Sequence, residues 1–187
     1  MGQGRKMRQI GVGAGLALAL ALASGAKAEI LSSSANGFEV REMAHVAAKP
    51  ESVYAAIISP SHWWNSAHTF SKSAKNLTFE ARAGGCWCET LPDGSVQHLI
   101  VVLAMPGKTL RLRGPLGPLQ GMGVDGALTW KITAGATGSD VELAYAVGGY
   151  AKDGLDKLAG PVDQVLGEQV QRLKQFIETG SPDKASH

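Results

Sequence analysis

Residues 81–105, ARAGGCWCETLPDGSVQHLIVVLAM, hold two turn signals separated by segments that alternate like β-strands. Ala83-Gly84-Gly85 is one turn, because glycine supplies the positive φ that tight turns need. Pro92-Asp93-Gly94-Ser95 is the second. A three-residue turn at 83–85 pairs Arg82 with Cys86, Ala81 with Trp87 and Phe79 with Glu89. A turn centred on Asp93-Gly94 pairs Leu91 with Val96, Glu89 with His98 and Trp87 with Ile100. This register puts Leu77, Phe79, Ala81, Trp87, Glu89, Leu91, His98, Ile100 and Val102 on one face, and Cys86 and Cys88 on the other. The first face is the more apolar and is expected to point at the core. A one-residue slip in either turn would reverse the assignment.

Outward from this stretch the strand pattern continues. Leu77–Arg82 precedes it with clean alternation. Met105-Pro106-Gly107-Lys108 turns the chain into Thr109–Arg113, where Leu110 and Leu112 oppose Arg111 and Arg113. Pro115–Asp125 is too rich in Gly and Pro for regular structure and reads as a loop. Ala127–Ala134 and Val141–Val147 form a further hairpin. Before the strands, Phe38–Val46 reads as the first strand. Lys49-Pro50-Glu51 reads as a helix start, since proline is tolerated in the first turn and an acid suits the N-terminal dipole. Ser59-Pro60-Ser61 ends that helix, and His62-Trp63-Trp64 opens a second short helix or turn. From Pro161, apolar residues at Val162, Val165, Leu166, Val170, Leu173, Phe176 and Ile177 fall at helical spacing, and Gly180 with Pro182 marks the stop. About seventeen residues make a rod of roughly 25 Å.

The N-terminus is of another character. Gly4-Arg5-Lys6-Met7-Arg8 is basic, Ile10–Ala23 is apolar, and Ala26-Lys27-Ala28 has the small-x-small form of a cleavage site. Residues 1–28 read as a secretory signal peptide cut after Ala28. A membrane anchor is the alternative, but the run is short for a span of roughly 20 residues. The whole chain carries 18 Lys+Arg and 16 Asp+Glu. Arg5, Lys6, Arg8 and Lys27 precede the cut, which leaves 14 basic side chains against 16 acidic ones, a net of −2. The basic balance therefore belongs to the leader, and nucleic acid is not an expected partner. The expected organisation is a leader at 1–28, a flexible segment at 29–37, one domain at 38–180 and a flexible tail at 181–187.

Strand, two short helices, a run of antiparallel strands and a long last helix make an α+β arrangement with about six to seven strands. The AAKPESVYAAI helix, the SPSHWW segment, the ARAGGCWCE turn-and-strand and the amphipathic last helix resemble the helix-grip fold of the START-like superfamily, also called SRPBCC or Bet v 1-like. The resemblance covers about Phe38 to Thr179. Within the superfamily it is nearest to the branch of polyketide-cyclase-like proteins and heat-shock-protein ATPase activators. It implies a curved sheet gripping the C-terminal helix with a ligand space between them. The superfamily spans lipid carriers, cyclases, hydrolases and co-chaperones, so no catalytic set transfers residue by residue. A secretion signal departs from the cytosolic co-chaperone pattern.

Glu89 and His98 are polar neighbours on an otherwise apolar inner face. A carboxylate beside an imidazole raises the histidine pKa, while burial opposes charging both. Such a pair serves as acid and base, or anchors the polar end of a ligand. The bland alternative is a cross-strand ion pair worth little. Cys86 and Cys88 would hold their Cβ atoms roughly 6–7 Å apart in a regular strand, where a disulfide needs about 4 Å. A bulge after Gly84-Gly85 would close the gap, so free thiols and a strained bridge both stay open. A metal site would need further ligands, and none is expected, nor is a cofactor. Trp63 and Trp64 are adjacent and cannot share a helical face; one belongs to the core and the other lines a cavity mouth. His45, His62 and His68 show no partner at metal spacing.

Three functions follow as expectations. The first is a secreted, periplasmic binder of a hydrophobic small molecule or lipid, monomeric or weakly dimeric, with Phe79, Trp87, Ile100, Leu173, Trp63 and Trp64 around the ligand and Glu89 or His98 at its polar end. The second is a cyclase- or hydrolase-type enzyme with Glu89 and His98 as the acid–base pair. The third is an interaction protein using an exposed apolar patch on the Pro115–Val124 loop, which carries Leu116, Leu119, Met122 and Val124.

Overall fold

At Gly85 an added Cβ would lie 2.1 Å from the Glu80 carbonyl oxygen, so only glycine fits where the chain folds back before its central hairpin. The structure, a computed structural model, describes residues 1–2 and 27–183. The basic and apolar parts of the expected leader lie outside the described residues. Eight strands form one antiparallel sheet: β1 (Lys27–Ser34), β2 (Gly37–Val46), β3 (Leu77–Phe79), β4 (Cys86–Leu91), β5 (Gly94–Met105), β6 (Thr109–Arg113), β7 (Gly123–Gly135) and β8 (Gly138–Tyr150). Their spatial order is β1-β2-β8-β7-β6-β5-β4-β3. The sheet is curved and open. Helix α1 (Pro50–Ile57) and three single 3₁₀ turns at 60–62, 66–68 and 74–76 lie between β2 and β3, and helix α2 (Asp156–Thr179) closes the chain.

The α+β class and the helix laid on a curved antiparallel sheet are as the sequence indicates. The inner face is built by alternation. Phe38, Val40, Ala44 and Val46 of β2, Leu128, Trp130 and Ile132 of β7, and Val141, Leu143, Tyr145 and Val147 of β8 are buried together. Leu166, Val170 and Leu173 of α2 cover them, and Val53, Tyr54, Ala56 and Ile57 of α1 seal one end.

Four details differ from the sequence reading or make it finer. First, the segment 29–37, expected to be flexible, carries most of β1 and the turn into β2. Strand β1 pairs with β2 from Lys27–Met43 to Ser34–Gly37, yet nearly all its side chains are exposed. Backbone pairing holds it, and backbone pairing leaves no hydropathy pattern to read. Second, the short helix or turn expected at His62-Trp63-Trp64 takes the form of 3₁₀ turns, at 60–62 and 66–68. Third, α2 begins five residues before Pro161 and runs about 36 Å at 1.5 Å per residue. Leu155 and Ala159, both buried, dock the extra turn on the sheet, so packing outweighs the proline's missing N–H. Fourth, Asp183 in the expected flexible tail pairs with Arg172 at 2.6 Å.

The central hairpins keep their faces but change register. Strand β3 stops at Phe79, and Phe79 stands opposite Trp87, Leu77 opposite Glu89. The chain between them folds on itself, with the Arg82 N–H donating to Glu80 and the Gly85 N–H to Arg82. Val101 clips this loop to β5 through two hydrogen bonds of 2.8 Å with Gly84 and Gly85. In the next hairpin Leu91 pairs with Gly94 and Glu89 with Val96. Both shifts are of two residues, which preserves the side of the sheet. A bulge then intervenes: Cys88 pairs with Gln97 but Trp87 with Leu99, leaving His98 as the extra residue. His98 and Leu99 both turn inward, and the phase beyond them reverses. Val101 is fully buried and Val102 is exposed.

Candidate functional site

Between the sheet and α2 lies a cavity of about 360 Å³. Its walls come from seven stretches of chain. Trp64, Ala67, His68, Thr69 and Phe70 arrive from the 3₁₀ segment, and Leu77, Trp87 and His98 from β3, β4 and β5. Leu116, Leu119 and Met122 come from the loop between β6 and β7, Tyr145 from β8, and Leu158, Val162, Val165 and Leu166 from α2.

Helix α2 fixes the 3₁₀ segment. Gln169, fully buried, accepts the Asn65 backbone N–H at 2.8 Å; Glu168 accepts from the Asn65 amide and lies 3.1 Å from His68 Nε2; Arg172 Nε donates to the Trp63 carbonyl. With the segment pinned, its aromatic rings meet those of the sheet. Trp63 sits in the core with its indole N–H on the Ala56 carbonyl and its ring edge-on to Trp130. Trp64 faces the cavity and packs edge-on against Trp87, ring centres 4.8 Å apart. The loop roof is held by Tyr145, whose hydroxyl donates to the Gly114 carbonyl and accepts the Leu116 N–H. Gly126 makes room for this: a Cβ there would come within 2.7 Å of the Tyr145 hydroxyl.

One charged group lies directly behind the wall. Glu89 is fully buried and accepts hydrogen bonds from the backbone N–H groups of Phe70 and Ser71, at 3.1 and 2.5 Å, and from His98 Nε2 at 2.9 Å. Burial alone pushes its carboxyl up, but the donors from Ser71, Phe70 and His98 together hold it below the usual carboxylate range. His98 is held below the usual imidazole range by burial, which outweighs the opposing pull of Glu89. The pair at neutral pH is thus a carboxylate and a neutral imidazole whose Nε2–H points at Glu89. His98 Nδ1 and Trp87 Nε1 are buried with no partner.

The structure therefore brings Trp64, Trp87 and His98 to the cavity, with Glu89 immediately behind His98. It does not bring the other expected contacts there. Ile100 stands opposite Cys86 on the far side of the sheet, because the bulge at His98 reverses the alternation after it. Phe79 packs on the Trp87 ring from the β3 edge. Trp63 and Leu173 are core residues, the latter two turns beyond the part of α2 that roofs the cavity. Phe70, the inward faces of Leu116, Leu119 and Met122, and the turn carrying Val162, Val165 and Leu166 join the site without having been expected there. The last three lie on the apolar stripe of the helix, but periodicity cannot say which turn spans a gap. Cys86 and Cys88 are joined in a disulfide with Cα atoms 5.4 Å apart, the bridged alternative of the two left open. Among the described residues no group of three or more His, Cys, Asp or Glu side chains could hold a metal ion. His45 contacts Asp140 and Thr137 at the surface, and His62 stacks on Phe176.

A second buried acid lies elsewhere under α2. Glu42 of β2 is fully buried and neither of its oxygens has a hydrogen-bond donor. Burial, then the neighbouring Asp163 of α2, push its carboxyl up to about 8.

Solved structures share this architecture. A protein of Mesorhizobium loti superposes with a TM-score of 0.55 at 17% identity, over 74% of this chain and 96% of its own. The Aha1 dimer of Colwellia psychrerythraea gives 0.55 at 13% identity, over 76% and 97%. DynU16, from the dynemicin biosynthetic locus, gives 0.52 at 22% identity, over 77% of this chain and 48% of its own. The fold is the helix grip. No family model matches the chain, and no curated protein does. At these identities the helix-grip likeness extends to the fold alone, and the function rests on the cavity.

Proposed function

We propose that this helix-grip protein is an exported, periplasmic binder of a hydrophobic small molecule or lipid. The observation that carries the reading is the cavity of about 360 Å³ walled by aromatic and aliphatic side chains between sheet and helix. An apolar space of this size stabilises a ligand by removing its surface from water, at roughly 25 cal/mol per Å² before the costs of association. The superfamily's lipid carriers support the same use. Export is supported by the basic, apolar and Ala-Lys-Ala order of residues 4–28. No helix among the described residues is long and apolar enough to cross a membrane.

Native mass spectrometry of protein purified from its own host, with fractionation of the cells, tests both halves. A bound apolar molecule on protein recovered from the periplasm is the expected result. Protein that never carries a ligand and never displaces a solvatochromic probe would end the binding reading.

The enzyme reading has one observation in its favour, the Glu89–His98 contact of 2.9 Å, since a carboxylate that orients an imidazole is the usual setting of a general base. Against it, Nδ1 is enclosed in the wall. The ring would have to leave Glu89 to present it. The interaction reading needs the 115–124 loop to turn its apolar side outward, whereas Leu116, Leu119 and Met122 line the cavity.

A further inference from the structure

We propose that the cavity selects uncharged ligands and rejects anionic ones, carboxylates and phosphates alike, because its wall offers no cation and conceals a permanent negative charge. This rests on the binding reading above. Among the described residues that line it there is no Lys or Arg, and the ionisable side chains are His68, His98 and Tyr145. Each is already committed. The Tyr145 hydroxyl bridges Gly114 and Leu116. His68 Nε2 lies on Glu168, so a carboxylate already occupies the place where an anion would dock. His98 directs Nε2 at Glu89 and keeps its imidazole uncharged, as burial dictates.

Glu89 makes the bias more than a lack of attraction. Its carboxylate is fully buried, and three donors satisfy it internally, so water does not screen it. A ligand carboxylate pushed in beside Trp87 and His98 would lose its own hydration and meet that charge across one imidazole ring. An alcohol of the same length loses far less.

The test is a pair of probes of one chain length, 1-decanol and decanoate, titrated against the full chain by the fluorescence of Trp64 and Trp87. At pH 7 decanol is expected to bind at least tenfold more tightly. On lowering the pH towards the acid's own pKa, decanoate affinity should rise by about tenfold per unit while decanol affinity stays flat, because only the neutral acid enters. Glu89→Gln should narrow the gap at pH 7. The pH series on the unsubstituted protein gives the answer independently of whether that variant folds. Equal or tighter decanoate binding at pH 7 would overturn the selectivity and leave the binding reading standing. If neither probe binds at any pH, the binding reading itself fails.

Discussion

At the residue scale the buried Glu89 is the group on which most depends. It satisfies two backbone N–H groups of the 3₁₀ segment and the His98 ring at once. Glu89→Ala would leave these donors buried and unpaired. The expected loss is about 3 kcal/mol or more, read as a lower urea midpoint at unchanged slope. Acid should act in the same direction. Glu89 is depressed in the fold, so its contribution is present above its unfolded value and is lost as pH falls through the folded one. His98 is also depressed, so the neutral ring favours the fold above about pH 6.5 and progressively less below it. The His98 contribution should therefore shrink on acidification from about pH 6.5, read as a falling stability difference between the unsubstituted protein and His98→Gln as the pH is lowered. The cysteines contribute less. A disulfide across one intervening residue closes a very small loop, so replacing both with Ser should cost about 1–2 kcal/mol. Ligand binding through Trp87 should survive, because the bridge lies on the other side of the strand.

At the scale of elements, α2 is seated over a buried acid, Glu42, with its own half-buried Asp163 beside it. Asp163 faces Glu42, and Gly167 lets the helix approach so closely that a Cβ there would be 3.1 Å from a Glu42 oxygen. Glu42 is raised to about 8 in the fold, against an ordinary value of 4.5. The folded state holds the proton that the unfolded state releases. Stability from this group is full below about 4.5, falls as pH rises, and is spent above about 8. Glu42→Gln keeps the shape without the charge. It should raise the melting temperature at pH 9 while changing it little at pH 5, which thermal unfolding across that range would check.

The elements also show what was legible in the chain. Alternation placed Trp87, Glu89 and His98 on the inner face, and helical spacing found the apolar side of α2, since both depend on burial and burial leaves a period. The even register shifts did no harm because strand faces repeat every two residues. The bulge at His98 did: nothing in QHLIVV marks an extra residue, and Ile100 went to the wrong side for that reason alone. The start of α2 was misplaced because Pro161 is a stronger local signal than the burial of Leu155 and Ala159. Strand β1 was missed because backbone pairing and polar contacts such as Glu29–Arg41 hold it, and neither leaves a hydropathy period. The roof of the cavity was readable only as a loop, since the inward turn of Leu116 and Met122 depends on Tyr145, nearly thirty residues away.

For the whole molecule, β1 is the guard of an edge. It covers β2 from Gly37 to Met43, most of a flank the sheet would otherwise offer to another chain. Cleavage after Ala28 would remove only its first two residues. A truncation starting at Gly37 should be less stable and should self-associate, as size-exclusion chromatography and light scattering would show; a truncation starting at Glu29 should do neither.

The seven-part wall of the cavity has a kinetic consequence. Its surfaces lie between Trp64 and Leu166 along the chain, and no shorter stretch encloses a space. Local hairpins such as β7–β8 can form early, but the pocket exists only once the helix has come down on the sheet and the loop has closed beneath Tyr145. In a refolding experiment the recovery of probe binding should therefore trail the recovery of β-sheet circular dichroism. A captured ligand would thus act as a clock for the final step of folding.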